Sequence, residues 1–352
     1  MIGKRVSYWR GLGNGVAAAV VLACATGSAD ARAPLPARMQ PVTLDSGTRA
    51  NSANEPRLVF SHLLDLGPEV PWVRVLFDPQ GTQLPPGSVI RVTSLLDGES
   101  HVLDAAELEK WGYGTAFFNG SAVQIELVAA RNTTGNAFRI REVFAGERPA
   151  AIAVAGLDET PVEGGVAAIC GDIDNRQPFP NSFDSQAMGI GRLLPGGINS
   201  NEAPRGYCTA FIIDRPAGIA NPDKVHLTAG HCFGAQLGND INGNLGQTFV
   251  LQFNAYCDAP EQSTCSNDDC TIKHPAVTNQ FPVRGDTVIA RNPASPGFSA
   301  PGNDWAVFKC GLNSEGKTTW ERQRDRSEGT RTDWAFTLAS AVTEDMSVRI
   351  TG

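Results

Sequence analysis

The sequence predicts an all-β protein whose first folded unit is an antiparallel β-sandwich. Three observations carry this. Glycine and proline are abundant, at 37 and 23 residues. Long runs with helical periodicity are few. Short apolar or alternating runs recur instead, separated by turn residues. A length of 352 residues predicts two domains, and 41% hydrophobic with 19% charged residues suffices for ordinary cores. Net charge is −8, and residues 1–31 hold Lys4, Arg5, Arg10 and Asp30, so the chain without them is two units more acidic. An acidic chain with no basic cluster is a poor nucleic-acid binder.

Residues 1–31 read as an export signal. Lys4, Arg5 and Arg10 form a positive start, and residues 15–25 form an apolar core too short for a permanent membrane span. Ala29-Asp30-Ala31 and Ala31-Arg32-Ala33 both offer Ala-x-Ala cleavage sites. Val21-Leu22-Ala23-Cys24 is a competing lipoprotein box, which would anchor the chain at Cys24. No other stretch is long and apolar enough to cross a membrane. The expected location is secreted or periplasmic, in a compartment that permits disulfides, and the signal is of bacterial style.

Residues 34–56 are rich in Pro, Ser, Asn and Arg, lack periodicity, and read as a linker. Residues 57–147 form the sandwich. Leu58-Val59-Phe60 opens it. Val73-Arg74-Val75-Leu76-Phe77 alternates in part; residues 88–94, 123–128 and 138–144 alternate well. Asp78-Pro79-Gln80-Gly81, Pro85-Pro86-Gly87 and Asp97-Gly98-Glu99 supply turns. Asp104 is placed to cap a short helix over residues 105–111. Trp72, Trp111, Tyr113, Phe117 and Phe118 are either core or a ligand face; core is the commoner use of aromatics in a sandwich. The unit has no cysteine and no catalytic cluster. Residues 148–168, rich in Ala, Pro, Val and Gly, read as the connection to a second unit at 169–352.

That second unit centres on Val225-His226-Leu227-Thr228-Ala229-Gly230-His231-Cys232. The apolar run 208–213 precedes it, across a turn-rich stretch. Ala229 and Gly230 are small, so the backbone can bend and present His231 at the strand's end, as imidazole catalysis requires. Further on, Asn303-Asp304-Trp305-Ala306-Val307-Phe308 sets an Asp before a short apolar strand. The two stretches, in this order, resemble the histidine and aspartate motifs of trypsin-like serine peptidases.

The resemblance implies several things. The fold would be the sandwich followed by the first barrel of a trypsin-like double β-barrel, with the second barrel incomplete. His231 would be the general base, and Asp304 would accept the other ring N–H and hold its tautomer. Cys208 and Cys232 would be bonded, closing a loop of about 25 residues for roughly 3 kcal/mol. Partners would be protein or peptide substrates, with no cofactor and no metal. The 57–147 unit resembles, by pattern alone, the β-sandwich that precedes the peptidase domain in some exported bacterial members: a propeptide, folding aid or binding module.

Departures from the family pattern matter equally. The nucleophile should sit in Gly-Asp-Ser-Gly, yet the sequence reaches Gly352 without that motif. Ser314, Ser327, Ser340 and Ser347 follow Asp304 and read as surface or strand serines. Residues 188–197 look like the first barrel strand and turn, but no activation sequence is evident near Ile169-Cys170-Gly171. Without Cys24 the cysteines are Cys170, Cys208, Cys232, Cys257, Cys265, Cys270 and Cys310, an odd number. Residues 347–352 resemble the strand entering the second barrel. Residues 320–333 are crowded with charge and read as a solvated loop. Residues 238–244 carry oxygen ligands but lack the full calcium-loop pattern and read as a solvated turn. A zinc site at His226, His231 and Cys232 lacks the usual spacings, and His226 reads as structural. Two readings stay open: a secreted serine endopeptidase that is incomplete and inactive over these residues, or a non-catalytic exported binding protein with a peptidase-like half-barrel.

Overall fold

The computed structural model describes residues 37–147, 189–196, 208–214, 225–233, 249–255, 273–291, 304–326 and 336–337. It is all-β: strands make up 54% of the described residues, which also hold two short helices. The export signal, the 148–168 connection, the 238–244 run and residues 347–352 lie outside the described residues, as do Cys24, Cys170, Cys257, Cys265, Cys270, Ser327, Ser340 and Ser347.

The sandwich begins earlier than its apolar runs imply. Strands β1 (Ala37–Asp45) and β2 (Arg49–Asn51) fall inside the stretch read as linker. β1 pairs antiparallel with β10 (Arg139–Gly146) at a sheet edge, which is why its pattern was diluted. Only one side of it packs inward, through Met39, Val42 and Leu44. Pro41 sits beside the irregularity in the ladder between Pro41 and Leu44, where a missing N–H is tolerated.

One sheet runs β1-β10-β4-β7, with β4 at Trp72–Phe77 and β7 at Phe118–Asn119. The other runs β3-β8-β5-β6, from Arg57–Asp65, Ala122–Ala129, Val89–Ser94 and Ser100–Leu103. β9 (Thr133–Asn136) pairs with β2. β8 shows the alternation its sequence predicts: Val123, Ile125, Leu127 and Ala129 are buried, the residues between them half-buried. Helix α1 (Ala105–Lys110) starts at Asp104, whose Oδ1 accepts from the Glu107 N–H at 2.8 Å, as expected of the cap.

β4 is buried along its whole length, so both of its faces are covered. Part of the cover is the segment after α1. The Arg74 guanidinium is buried there; its Nε donates to the Thr115 carbonyl at 2.8 Å and its fork lies over the Phe117 ring at 5.2 Å. Burial lowers its pKa to about 9, which leaves it charged at neutral pH. Trp72, Trp111, Phe117 and Phe118 are buried and Tyr113 packs against them, so these aromatics are core. At Gly146 any Cβ would run into the Trp72 indole, so only glycine lets the two strands lie this close.

The second unit is a closed barrel of six strands. They are β11 (Ile190–Leu194), β12 (Cys208–Asp214), β13 (Val225–Thr228), β14 (Val250–Phe253), β15 (Gln280–Arg291) and β16 (Trp305–Cys310). Around the barrel the order is β11-β14-β15-β16-β13-β12, and β12 returns to β11. Each of these pairings is antiparallel. A short β17 (Phe336–Thr337) adds in parallel to β12. Ala210, Ile212, Leu251, Phe253, Phe281, Ala306 and Phe308 fill the interior.

One segment corrects the sequence reading. Part of the 320–333 stretch, expected as a solvated loop, is helix α2 (Thr319–Arg326). Thr318 and Glu321 form a reciprocal cap. The Glu321 N–H donates to Thr318 Oγ1 at 3.2 Å, and Glu321 Oε2 accepts from the Thr318 N–H at 2.8 Å. The charges lie on a helix whose Gln323 is buried and whose Trp320 packs against the barrel core.

Candidate active site

β13 owes its position to its flanks. It pairs with β12 through Phe211–Leu227, Ile212–His226 and Ile213–Val225, and with β16 through His226–Phe308, Leu227–Val307 and Thr228–Ala306. Past Thr228 the chain turns into a single 3-10 turn, Gly230–Phe233, closed by the Cys232 N–H donating to the Ala229 carbonyl at 3.2 Å. His231 is the second residue of that turn.

The disulfide Cys208–Cys232 is present, with Cα atoms 6.1 Å apart. It ties the turn to the start of β12. Thr228 adds a second tie: its hydroxyl donates to the Thr209 carbonyl at 2.8 Å and lies 3.4 Å from Cys232 Sγ. Cys232 and Phe233 are themselves buried in the barrel core. The backbone that carries His231 is therefore held on both sides. Cys310 carries a free thiol and packs against the same core.

Asp304 stands immediately before β16 and is half-buried. Because β13 and β16 run antiparallel, the end of one meets the beginning of the other. Thr228 faces Ala306, so the ladder carries the chain out to His231 on one strand and back to Asp304 on the other, at the same end of the barrel. The His231 side chain lies outside the described residues, and so does its separation from Asp304. Ser314 is exposed in a turn, as a surface serine would be.

The chain matches no protein-family model and no curated protein.

His226 has the structural role expected of it. Its ring is buried and stacked on Phe308 at 5.2 Å. Nδ1 lies 3.3 Å from the Phe308 carbonyl, which can only accept, so Nδ1 carries the proton. Nε2, at 3.1 Å from Thr319 Oγ1, then accepts from that hydroxyl. Both nitrogens are engaged, which removes His226 from any zinc site. Burial lowers its pKa to about 4, partly opposed by the carbonyl contact.

A pH dependence follows. A histidine whose folded pKa lies below its unfolded value stabilises the fold fully above about pH 6.5, and that stability is lost as pH falls toward 4. The contribution of His226 is on the order of 3 kcal/mol. His101, buried against Trp111 and lowered to about 3, adds to the same slope. Urea midpoints measured from pH 7 to pH 4 should fall, and fall less steeply in His226→Gln. An equal slope in the variant would count against this origin.

Among the described residues, no helix is long and apolar enough to cross a membrane.

Proposed function

We propose that the barrel is the His- and Asp-bearing half of a secreted trypsin-like serine endopeptidase. The observation that carries this reading is the β13–β16 register, which brings the chain to His231 and Asp304 at one end of adjoining strands. The disulfide on the His231 turn supports it, since a general base works only from a fixed position. In this reading His231 takes the proton from a serine hydroxyl and returns it to the leaving amine. Asp304 accepts the other imidazole N–H, fixes the tautomer and stabilises the imidazolium. Backbone N–H groups beside the serine hold the oxyanion, each worth roughly 3–4 kcal/mol. Residues 1–352 do not present that serine in Gly-Asp-Ser-Gly, so over these residues alone no substantial peptide hydrolysis is expected.

The pair can be tested without the serine. The imidazole of His231 is titrated by NMR, its signal assigned through His231→Gln. Asp304→Asn is expected to lower the His231 pKa by about one unit or more, because it removes a carboxylate that favours the charged ring. A His231 pKa that ignores this substitution would sink the reading and favour a non-catalytic barrel.

A further inference from the structure

The sandwich and the barrel share one core. Leu194 of β11, Val250 of β14 and Val277 are buried in the same apolar cluster as Trp72, Phe117 and Phe144 of the sandwich. Two side-chain amides close the seam in opposite directions. From the barrel, Gln280 addresses Phe117: its Oε1 accepts from the Phe117 N–H and its Nε2 donates to the Phe117 carbonyl, both at 2.9 Å. From the sandwich, Asn119 addresses His274: its Oδ1 accepts from the His274 N–H at 2.8 Å and its Nδ2 donates to the His274 carbonyl at 2.9 Å. Each amide thus acts as a strand partner would, satisfying a donor and an acceptor of the other unit's backbone. Gln280 and the His274 ring are buried, and that ring stacks on Phe117 at 4.7 Å and meets Trp72 at 5.0 Å. Glu99 Oε2 accepts from the Val277 N–H at 2.9 Å.

This seam has the character of a domain interior, with apolar packing and backbone groups matched by the two amides, while His274 Nε2 is buried without a partner. It falls on β14, on the end of β11 beside it and on the run leading into β15. In the ring order β14 lies three steps from β13 in either direction, so the sandwich is seated across the barrel from the strand that leads to His231. Residues 37–147 contain no cysteine, so no disulfide adds to the hold.

We propose that the sandwich is a permanent, non-covalent partner of the barrel, which stays seated on β14 and residues 273–281 after the chain between them is cut. It is a retained subunit, neither a discarded leader nor a plug over the His231 end. This inference stands apart from the peptidase reading. The test introduces a site for a specific protease within 148–168 of the full chain and cuts the purified protein to completion. Size-exclusion chromatography with light scattering then follows a dilution series. One particle carrying the mass of both fragments is the expected result; two separating fragments would overturn the proposal. A second arm cuts the Asn119→Asp, Gln280→Glu double variant, in which two donors become acceptors facing carbonyls. Its fragments should dissociate with a Kd raised about 100-fold or more. A variant that holds as tightly as the parent would remove the two amides as the basis of the seam.

Discussion

Truncating Trp72 to alanine should cost about 3–5 kcal/mol, the range for a large aromatic lost from a packed core. Trp72 is buried in β4, and it meets Phe117 at 5.4 Å, Phe144 at 5.1 Å and His274 at 5.0 Å, all edge to face. The first two contacts lie within the sandwich and the third crosses to the barrel side. One substitution therefore weakens both a core and a seam. Trp72→Phe keeps most of the apolar volume and should cost well under half as much. Urea unfolding of the three proteins measures this. A loss below about 1 kcal/mol for Trp72→Ala would mean that the site collapses around the gap and that the packing is looser than described.

Removing the Cys208–Cys232 bond, by reduction or by a paired change to serine, should cost roughly 3 kcal/mol through the entropy regained by the unfolded chain. The bonded residues are 24 apart in sequence. For a unit of this size the midpoint of thermal unfolding should drop by on the order of 6–10 °C. The effect should concentrate at the Gly230–Phe233 turn, which the bond ties to β12. Faster amide exchange at Cys232 and Phe233, with little change in the sandwich, is the local signature. A thermal midpoint that does not respond to reduction would show that the turn is held by Thr228 and its neighbours instead.

Much of the strand content was legible because one face of each strand is buried. β5, β8 and β10 announce themselves by alternation, and β11 to β14 by short apolar runs between turns. Strands that break these patterns were hidden. In β15, Pro282 and the Gly285-Asp286 pair interrupt the run, and the ladder itself shifts between Arg284 and Ile289. In β1 the inward side chains are spread along a half-exposed edge. α2 was obscured by its charge, although Thr318 followed by Glu321 three residues on is a helix-start signal that the sequence displays. The site divides in the same way. His231, Asp304 and the two cysteines could be named from local motifs. The seam could not, because Gln280, His274 and Asn119 are ordinary polar residues until the fold sets them opposite a distant backbone. Only the sequence separation of 163 between Phe117 and Gln280, closed by the chain's path, makes that amide a partner.

The seam also orders events in time. Every strand of the sandwich comes from residues 37–147, so all of its partners exist before the first barrel residue leaves the ribosome. The barrel is completed only later. β13 must wait for β16, and His226 and Phe308 are 82 residues apart. Pairings of that span are slow to form, because the entropy of closing the loop is lost before any contact repays it. When β14 and the run into β15 are made, the surface that receives them is already built. Two of the six barrel strands can be caught there while the others are still being synthesised, and a chain deprived of residues 37–147 would have to find the same closure unaided.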